Sequence, residues 1–174
     1  MELLEEYQHH IENWTGLYDL TPIYDTKEDD DSSSAINRSI CGRKNLLIVV
    51  STEEGYLFGT FIEKEVPHPK STIQLVKDGP KNCVFTLKNS FGTEPTALRL
   101  KKKKGETLGI FPNSESEGML SVKKCFSLYR KGTKESKVHP YLNRKYNDVT
   151  QYGCCLFTGE DFINWDRIVI FQIK

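Results

Sequence analysis

The sequence has no apolar run long enough to cross a membrane and no excess charge of either sign. None of its hydrophobic stretches reaches the roughly 18 residues that a membrane helix needs. The first residues, Met1–Glu6, are acidic, whereas a secretory signal begins with positive charge and continues apolar. These absences indicate a cytosolic or nuclear location, and we expect a cytoplasmic protein without a transmembrane segment.

Motifs that mark common enzyme classes are missing as well. No glycine-rich phosphate loop runs into Lys-Ser or Lys-Thr, and no Gly-x-Ser-x-Gly sequence occurs. The acidic run Asp29–Asp31 lacks the glycine and glutamate spacing of a calcium loop. The histidines lack metal-ligand spacing, and His68 and His139, each beside a proline, are predicted to be exposed loop residues. We therefore expect no catalysis, no cofactor and no metal.

Cysteine is present in an odd number, five, without a Cys-x-x-Cys pair. Buried, reduced thiols are the expectation for such a set. Cys154 and Cys155 lie on a predicted strand, where they would point to opposite faces and serve poorly as joint zinc ligands. A catalytic nucleophile and its base come together only in the folded chain, so the sequence leaves one alternative to a non-catalytic protein open. It is a thiol- or carboxylate-dependent enzyme of unknown substrate that uses Cys125, Cys154 or Cys155.

The formal net charge of zero hides an uneven distribution along the chain. Residues 1–31 carry ten acidic side chains and one lysine, whereas residues 99–145 carry thirteen Lys or Arg and four Glu. Two interpretations are open. The charges form two solvated faces of opposite sign, or they form a polarised surface that orients a charged partner.

The densest charge run is Lys101, Lys102, Lys103 and Lys104, which we take as the candidate interaction patch. It could be a turn that discourages edge pairing, an attachment site for an anionic membrane or nucleic acid, or a docking patch for an acidic protein. Nucleic-acid binding usually interleaves aromatic residues with the basic ones. The neighbours Leu100 and Gly105 supply none, so nucleic acid is the less favoured partner.

Two helices are predicted before the strands begin. Apolar residues spaced by three and four predict an amphipathic helix over residues 2–14, ended by Thr15-Gly16. A short helix is predicted from Ser33 to Cys41, with Ile36 and Ile40 facing inward and Gly42 as its stop. Gly16 is the candidate boundary between an N-terminal helical extension, residues 1–16, and a domain of residues 17–174.

Many short apolar or alternating segments follow at roughly ten-residue spacing, which is typical of an antiparallel sandwich. The class is therefore α+β, mainly β. Gly59 interrupts one of these segments, and an interior glycine usually marks a bulge or a close backbone approach. The predicted strands are Leu46–Ser51, Tyr56–Ile62, Cys83–Leu87, Ala97–Lys101, Leu108–Phe111, Cys125–Tyr129, Gly153–Phe157 and Trp165–Ile173.

The order of these motifs resembles the TLDc domain family over about residues 14–173. The motifs that carry the resemblance are Trp14, Ile23-Tyr24 with the acidic turn Asp25–Asp31, Leu46–Val50 with Gly55-Tyr56-Leu57-Phe58-Gly59, Cys83–Leu87, Phe126–Tyr129, and Leu156–Gly159 with Phe162–Ile173. The resemblance implies two antiparallel sheets flanked by short helices. It also implies roles in oxidative-stress resistance and, for several members, binding to the vacuolar proton-pumping ATPase.

The expected function is therefore that of an intracellular TLDc-type protein-interaction module without catalysis. A protein partner is expected, and the vacuolar proton ATPase is the one that the resemblance implies. Besides the thiol or carboxylate enzyme, a second alternative stays open. In it, the lysine patch binds an anionic membrane peripherally, or nucleic acid.

Overall fold

The chain folds into two antiparallel sheets of six strands each, packed face to face, with short helices around them. The computed structural model describes residues 2–102 and 104–174. This arrangement confirms the predicted α+β, mainly β sandwich. The helices are α1 (Gln8–Thr15), which follows a 3-10 segment over Glu2–Tyr7, α2 (Ser33–Ile40) and α3 (Leu142–Lys145).

The strands are numbered in chain order and listed here by their neighbours in each sheet. The first sheet contains β1 (Leu20–Asp25), β12 (Trp165–Ile173), β2 (Leu46–Thr52), β3 (Leu57–Ile62), β5 (Cys83–Lys88) and β6 (Thr96–Arg99). The second sheet contains β11 (Phe162–Ile163), β10 (Ser136–Val138), β9 (Phe126–Tyr129), β8 (Gly118–Val122), β7 (Glu106–Ile110) and β4 (Gln74–Lys77). Each helix in this described part of the chain is too short or too polar to cross a lipid bilayer.

Aromatic side chains fill the space between the two sheets. Phe58 of β3 contacts Phe126 of β9, with ring centroids 5.4 Å apart and the rings nearly perpendicular. Phe157 lies 4.9 Å from the same Phe58 ring. All three side chains are fully buried. Edge-to-face contacts of this kind add to the free energy gained by removing apolar surface from water.

The outer face of the first sheet is apolar too, and the N-terminal helical segment covers it. Leu4 and Ile11 are buried there, in one cluster with Val49 of β2. Trp14 lies over the ring of Phe85, at 5.6 Å between centroids. The continuous helix predicted over residues 2–14 is instead a 3-10 segment followed by α1.

Gly59 sits in the middle of β3, where the backbone of β2 comes very close. A Cβ atom added to Gly59 would lie 1.9 Å from the carbonyl oxygen of Ile48 and 2.9 Å from the Phe85 ring. No side chain fits in that space. The prediction of a close backbone approach at Gly59 is therefore confirmed.

The predicted second helix is confirmed as α2. Its N-terminus is capped by Ser32, whose hydroxyl accepts a hydrogen bond from the Ala35 amide at 3.1 Å. Ile36 and Ile40 are fully buried, as their spacing predicts. Gly42, with φ of 78°, follows the helix end in the left-handed region that glycine adopts readily.

The strand predicted over Gly153–Phe157 is wrong. Gly153–Cys155 forms a 3-10 turn, and Cys154 and Cys155 therefore do not occupy opposite faces of a strand. The cause is Asp148, whose carboxylate accepts hydrogen bonds from the amides of Gln151 at 3.1 Å and Gly153 at 2.7 Å. Both of these residues have positive φ, so the chain curls around the carboxylate instead of extending.

The expectation for His139 is also wrong, whereas His68 is exposed as predicted. His139 is half-buried, and its Nε2 lies 2.8 Å from the Ser127 hydroxyl, which in turn lies 2.9 Å from the Ser121 hydroxyl. Pairing of β9 with β10 brings the histidine back against the sheet. Burial, followed by the charges of Lys137 and Lys124, lowers the pKa of His139.

Candidate interaction site

Three chain segments meet at one end of the second sheet and enclose a cleft of about 300 Å³. They are the connection from β6 to β7, the turn from β8 to β9, and α3. The cleft, which we call the basic cleft, is lined by seven cationic side chains and one carboxylate. The cations are Lys101, Lys102, Lys104, Lys123, Lys124, Arg144 and Lys145, and the carboxylate belongs to Glu106.

The lysine run supplies the first side of the basic cleft. Lys101, Lys102 and Lys104 are exposed there, and Lys103 lies outside the described residues. The backbone of the run is held against α3, because the Lys101 amide donates to the Lys145 carbonyl at 3.0 Å. Leu100 forms a β-bridge with Tyr146 beside this bond. The described part of the predicted interaction patch, Lys101, Lys102 and Lys104, therefore forms one side of the larger basic cleft.

The turn between β8 and β9 supplies the second side. The Lys123 amide donates to the Thr107 carbonyl at 2.7 Å, which fixes the turn against β7. Lys124 has φ of 62°, an uncommon conformation for a side chain of this type. The Lys123 ammonium lies 3.1 Å from Glu106, and both side chains are exposed, so this ion pair leaves most of the local charge open to solvent.

One of the lining cations, Lys145, is paired with a buried carboxylate that lies outside the cleft lining. The Lys145 ammonium lies 3.0 Å from the Asp78 carboxylate, with side-chain exposures of 14% and 1%. The second carboxylate oxygen of Asp78 has no hydrogen-bond partner among the described residues. Next to Lys145, Tyr146 is fully buried and its hydroxyl lies 3.3 Å from that of Thr107. Lys145 is thus fixed in position, unlike the exposed lysines around it.

One aromatic ring belongs to this basic surface. The Arg144 guanidinium lies 4.1 Å from the centre of the Tyr141 ring, and the Lys124 ammonium lies 5.6 Å from it. Cation–π contacts of this kind hold the two charges near each other. The sequence beside Lys101–Lys104 contains no aromatic residue, so this contact arises from the fold alone.

The structure extends the predicted site without moving it. Lys123, Lys124, Arg144 and Lys145 join the lysine run, although they lie about 20 and 40 positions further along the chain. The signal for them was the excess of Lys and Arg over residues 99–145. The sequence did not show which of those thirteen cations would converge, because the convergence depends on strand pairing between β7, β8 and β9.

The family comparison covers the first part of the chain. The model of the TLDc domain matches residues 1–104, which is more than half of the sequence. The chain belongs to the TLDc domain family. No curated protein matches it as a relative. The matched part of this TLDc domain runs from the N-terminal helical segment through β6 to the lysine run.

Burial disfavours the reactive thiolate at three cysteines of this TLDc domain. Cys83 and Cys125 are buried, and burial raises the pKa of Cys83 to about 11 and that of Cys125 well above its usual value. Burial also raises the pKa of Cys154, with a further increase from Cys155. A raised pKa lowers the fraction of reactive thiolate at neutral pH. Among the described residues, no cluster of three His, Cys, Asp or Glu side chains could hold a metal ion.

The acidic turn of the TLDc domain is bound by its own cations. The Asp25 carboxylate accepts two hydrogen bonds from Arg167 of β12, at 3.1 and 2.6 Å. Arg130 lies within 3.2 Å of Asp31 and 3.4 Å of Asp30. These acidic charges are thus partly neutralised within the fold, whereas Lys101, Lys102 and Lys104 of the basic cleft are exposed to solvent.

Proposed function

We propose that this TLDc domain is an intracellular protein-interaction module that acts without catalysis and binds an acidic segment of a partner protein in the basic cleft. The observation that carries the proposal is the convergence of seven cationic side chains on one cleft with a single lining carboxylate. Clustered charge of one sign attracts an oppositely charged surface and orients it before contact.

The vacuolar proton-pumping ATPase is the partner that family membership suggests, and oxidative-stress resistance is the associated role. A protein is favoured over a membrane or nucleic acid because the cleft is concave and charged on several sides. A bilayer surface would reach only its rim. Nucleic acid usually requires several aromatic rings among the basic residues, and Tyr141 is the one ring that contacts the cations of the cleft in the described structure.

The alternative of a thiol-dependent enzyme has less support at Cys125 and Cys154, two of its three candidate nucleophiles. The raised pKa values of Cys83, Cys125 and Cys154 make these thiols weak nucleophiles at neutral pH. Labelling of the folded protein with a thiol reagent distinguishes the two proposals. A cysteine that reacts faster than a free thiol would favour the enzyme, and uniformly slow labelling would favour the interaction module.

The proposal is tested by removing charge from the basic cleft. The variant K101S/K102S/K104S removes three exposed cations, and K44S/K64S/K70S removes three exposed cations elsewhere as a matched control. We expect the first variant to bind purified vacuolar ATPase about tenfold more weakly, since each exposed charge contributes roughly 0.5 kcal/mol. The control should bind like the unaltered protein. Binding should weaken as salt is raised.

Two results would contradict the proposal. Equal loss of affinity in both variants would show that total charge matters and the cleft does not. Binding to anionic vesicles or to DNA that exceeds binding to the ATPase and to acidic peptides, and that depends on Lys101, Lys102 and Lys104, would assign the cleft to a lipid or nucleic-acid partner instead.

A further inference from the structure

Within residues 2–102 and 104–174, the second sheet ends at β4, whose outer edge pairs with no other strand. β4 is the last strand of that sheet and pairs along its inner side with β7. Ile73, just before it, and Leu75 within it are 51% and 45% exposed, whereas Val76 points into the core. An edge strand that carries exposed apolar side chains is a template onto which another extended chain can pair.

The apolar side chains of this edge rest on a glycine of the neighbouring strand. A Cβ atom added to Gly109 of β7 would lie 3.4 Å from Ile73 and 3.6 Å from Leu75. Because Gly109 has no side chain, Ile73 and Leu75 lie across it and form a low apolar ledge. Beyond the glycine, the outer face of the sheet becomes polar at Ser121 of β8 and Ser127 of β9.

The free edge leads directly into the basic cleft. Immediately after β4, the Asp78 amide donates to the Gly105 carbonyl at 2.8 Å, and the Asp78 carboxylate binds Lys145, which lines the cleft. The strand therefore runs from the apolar ledge at Ile73 toward the cations. Four strand residues span roughly 13 Å, which is the reach of a short peptide segment.

The other sheet edges are less suited to pairing. β1 contains Pro22, which lacks a backbone donor, and β11 has only two residues. The edge of β6 is already engaged, because the Asn147 amide donates to the Arg99 carbonyl and the Lys101 amide to the Lys145 carbonyl. β4 is thus the edge on which backbone pairing, apolar contact and positive charge coincide.

We infer that the acidic partner binds as an extended strand that pairs antiparallel with β4 and places its acidic residues in the basic cleft. The inference rests on the proposed function and adds the partner's conformation and sequence order. An antiparallel partner runs opposite to β4, so its N-terminal part lies over the cleft. The recognised segment therefore has acidic residues first, followed by alternating apolar residues that contact Ile73 and Leu75.

Synthetic peptides test the order and the backbone pairing. The forward peptide has three acidic residues followed by alternating valine and threonine, and the reversed peptide has the same residues in the opposite order. We expect the forward peptide to bind roughly tenfold more tightly, the equivalent of burying one apolar side chain. It should also slow amide hydrogen exchange at Gln74–Lys77. Methylation of alternate backbone amides of the peptide removes the hydrogen-bond donors that pair with β4. It should therefore abolish the difference in affinity between the forward and reversed peptides.

Protein variants separate this inference from the proposed function. Leu75→Thr removes the apolar contact and introduces a β-branched residue that is well suited to a strand. Val149→Thr is the control and alters a valine elsewhere that is 64% exposed. Circular dichroism checks that both variants fold. We expect Leu75→Thr to remove most of the preference for the forward peptide and Val149→Thr to leave that preference intact.

The outcomes are distinct. If both peptides bind equally, bind more weakly in K101S/K102S/K104S and leave exchange at β4 unchanged, the strand inference is wrong and the proposed function stands. If neither peptide binds and the ATPase does not bind, the proposed function fails as well. A forward preference that survives Leu75→Thr without any protection of β4 would also overturn the inference.

Discussion

At the scale of single residues, the pair formed by Asp25 and Arg167 joins the acidic turn to β12. Both side chains are mostly buried, with 18% and 26% of their surface exposed. The hydrogen bonds from Arg167 lower the pKa of the Asp25 carboxyl below its usual value. The same carboxylate also accepts a hydrogen bond from the Lys27 amide at 3.0 Å, so one aspartate joins the start of the acidic turn to β12.

Substitution of Asp25 should change the dependence of stability on pH. Because the pKa of Asp25 is lower in the folded protein than in the unfolded chain, its contribution is complete above the unfolded pKa of about 3.9 and is lost as the pH falls through the folded pKa. We expect Asp25→Asn to lower the free energy of unfolding by about 2 kcal/mol at pH 7. Urea denaturation at pH 7 and near pH 2 would measure both values.

The difference between Asp25→Asn and the unaltered protein should shrink toward zero at the lower pH. Glu54→Gln, at an exposed position in the turn between β2 and β3, is the control and should change stability little at either pH. A loss of stability in Asp25→Asn that is the same at both pH values would show that the ionised pair is not its cause.

Residue identity predicted some of these features and could not predict others. The glycine inside a largely apolar strand indicated a bulge or a close backbone approach at Gly59, and the structure shows the close approach. Nothing local indicated that Asp25 would meet Arg167, since 142 positions separate them. The curl of the chain around Asp148 was missed for a related reason. The apolar residues that follow Asp148 fit a strand. A pattern of apolar and polar residues carries no information about hydrogen bonds from backbone amides to a carboxylate.

At the scale of secondary-structure elements, the N-terminal helical segment serves as the cover of the first sheet. Ile11 of α1 is fully buried against that sheet. The Trp14 carbonyl accepts a hydrogen bond from Arg99 at 2.7 Å, and the Thr15 carbonyl accepts one from Lys81 at 3.3 Å. Residues 2–16 are thus attached by apolar contact and by two cations of the domain. The proposed boundary at Gly16 stays a prediction.

Truncation of Ile11 tests how strongly this cover stabilises the domain. We expect Ile11→Ala to lower the free energy of unfolding by about 3 kcal/mol, since a buried isoleucine is replaced by a cavity. Asn13→Ala, at an exposed position of the same helix, should be neutral or slightly stabilising because alanine favours helix. Thermal unfolding followed by calorimetry measures both variants.

The shape of the Ile11→Ala transition adds a second test. A single cooperative transition at lower temperature would show that residues 1–16 unfold together with the sandwich. Two separated transitions would show that they form an independent extension, as the boundary at Gly16 predicts. An unchanged transition would contradict the role of Ile11 as part of the cover.

Among the strands, those with an apolar run or a clear alternation were predicted, and those without either pattern were not. β2, β3, β5, β9 and β12 lie within one or two residues of their predicted bounds. β6 and β7 are also within two residues of their predicted bounds, so shortness alone does not hide a strand. β4, β8, β10 and β11 were missed, because none of them contains an apolar run of three residues or an alternation over four. β1 was missed because Pro22 argued against a strand, although proline is tolerated at a sheet edge.

At the scale of the whole molecule, the zero net charge and the sequence pI of about 6.9 conceal two oppositely charged regions. The basic cleft carries one, and the exposed Glu2, Glu5 and Glu6 belong to the other. Near neutral pH, no net repulsion keeps two copies apart, and the acidic region of one can approach the basic cleft of another.

We therefore expect reversible self-association at low salt. Sedimentation velocity at pH 7 should show species larger than a monomer in about 20 mM salt and a smaller average mass in about 200 mM salt, where charges are screened beyond about 7 Å. K101S/K102S/K104S should abolish the effect and K44S/K64S/K70S should not. If the average mass of the unaltered protein and of both variants does not change with salt, the self-association does not have an electrostatic origin.

The position of β12 has a consequence for how the chain folds. This strand lies between β1 and β2 in the first sheet. The two strands therefore cannot be joined into one sheet until residues 165–173 have been synthesised and have paired with both of them. Partners that far apart in sequence give a high contact order and slow folding. During synthesis on the ribosome, the apolar edge of β2 therefore stays unpaired until the strand that covers it has been made, and this interval is when a chaperone is needed most.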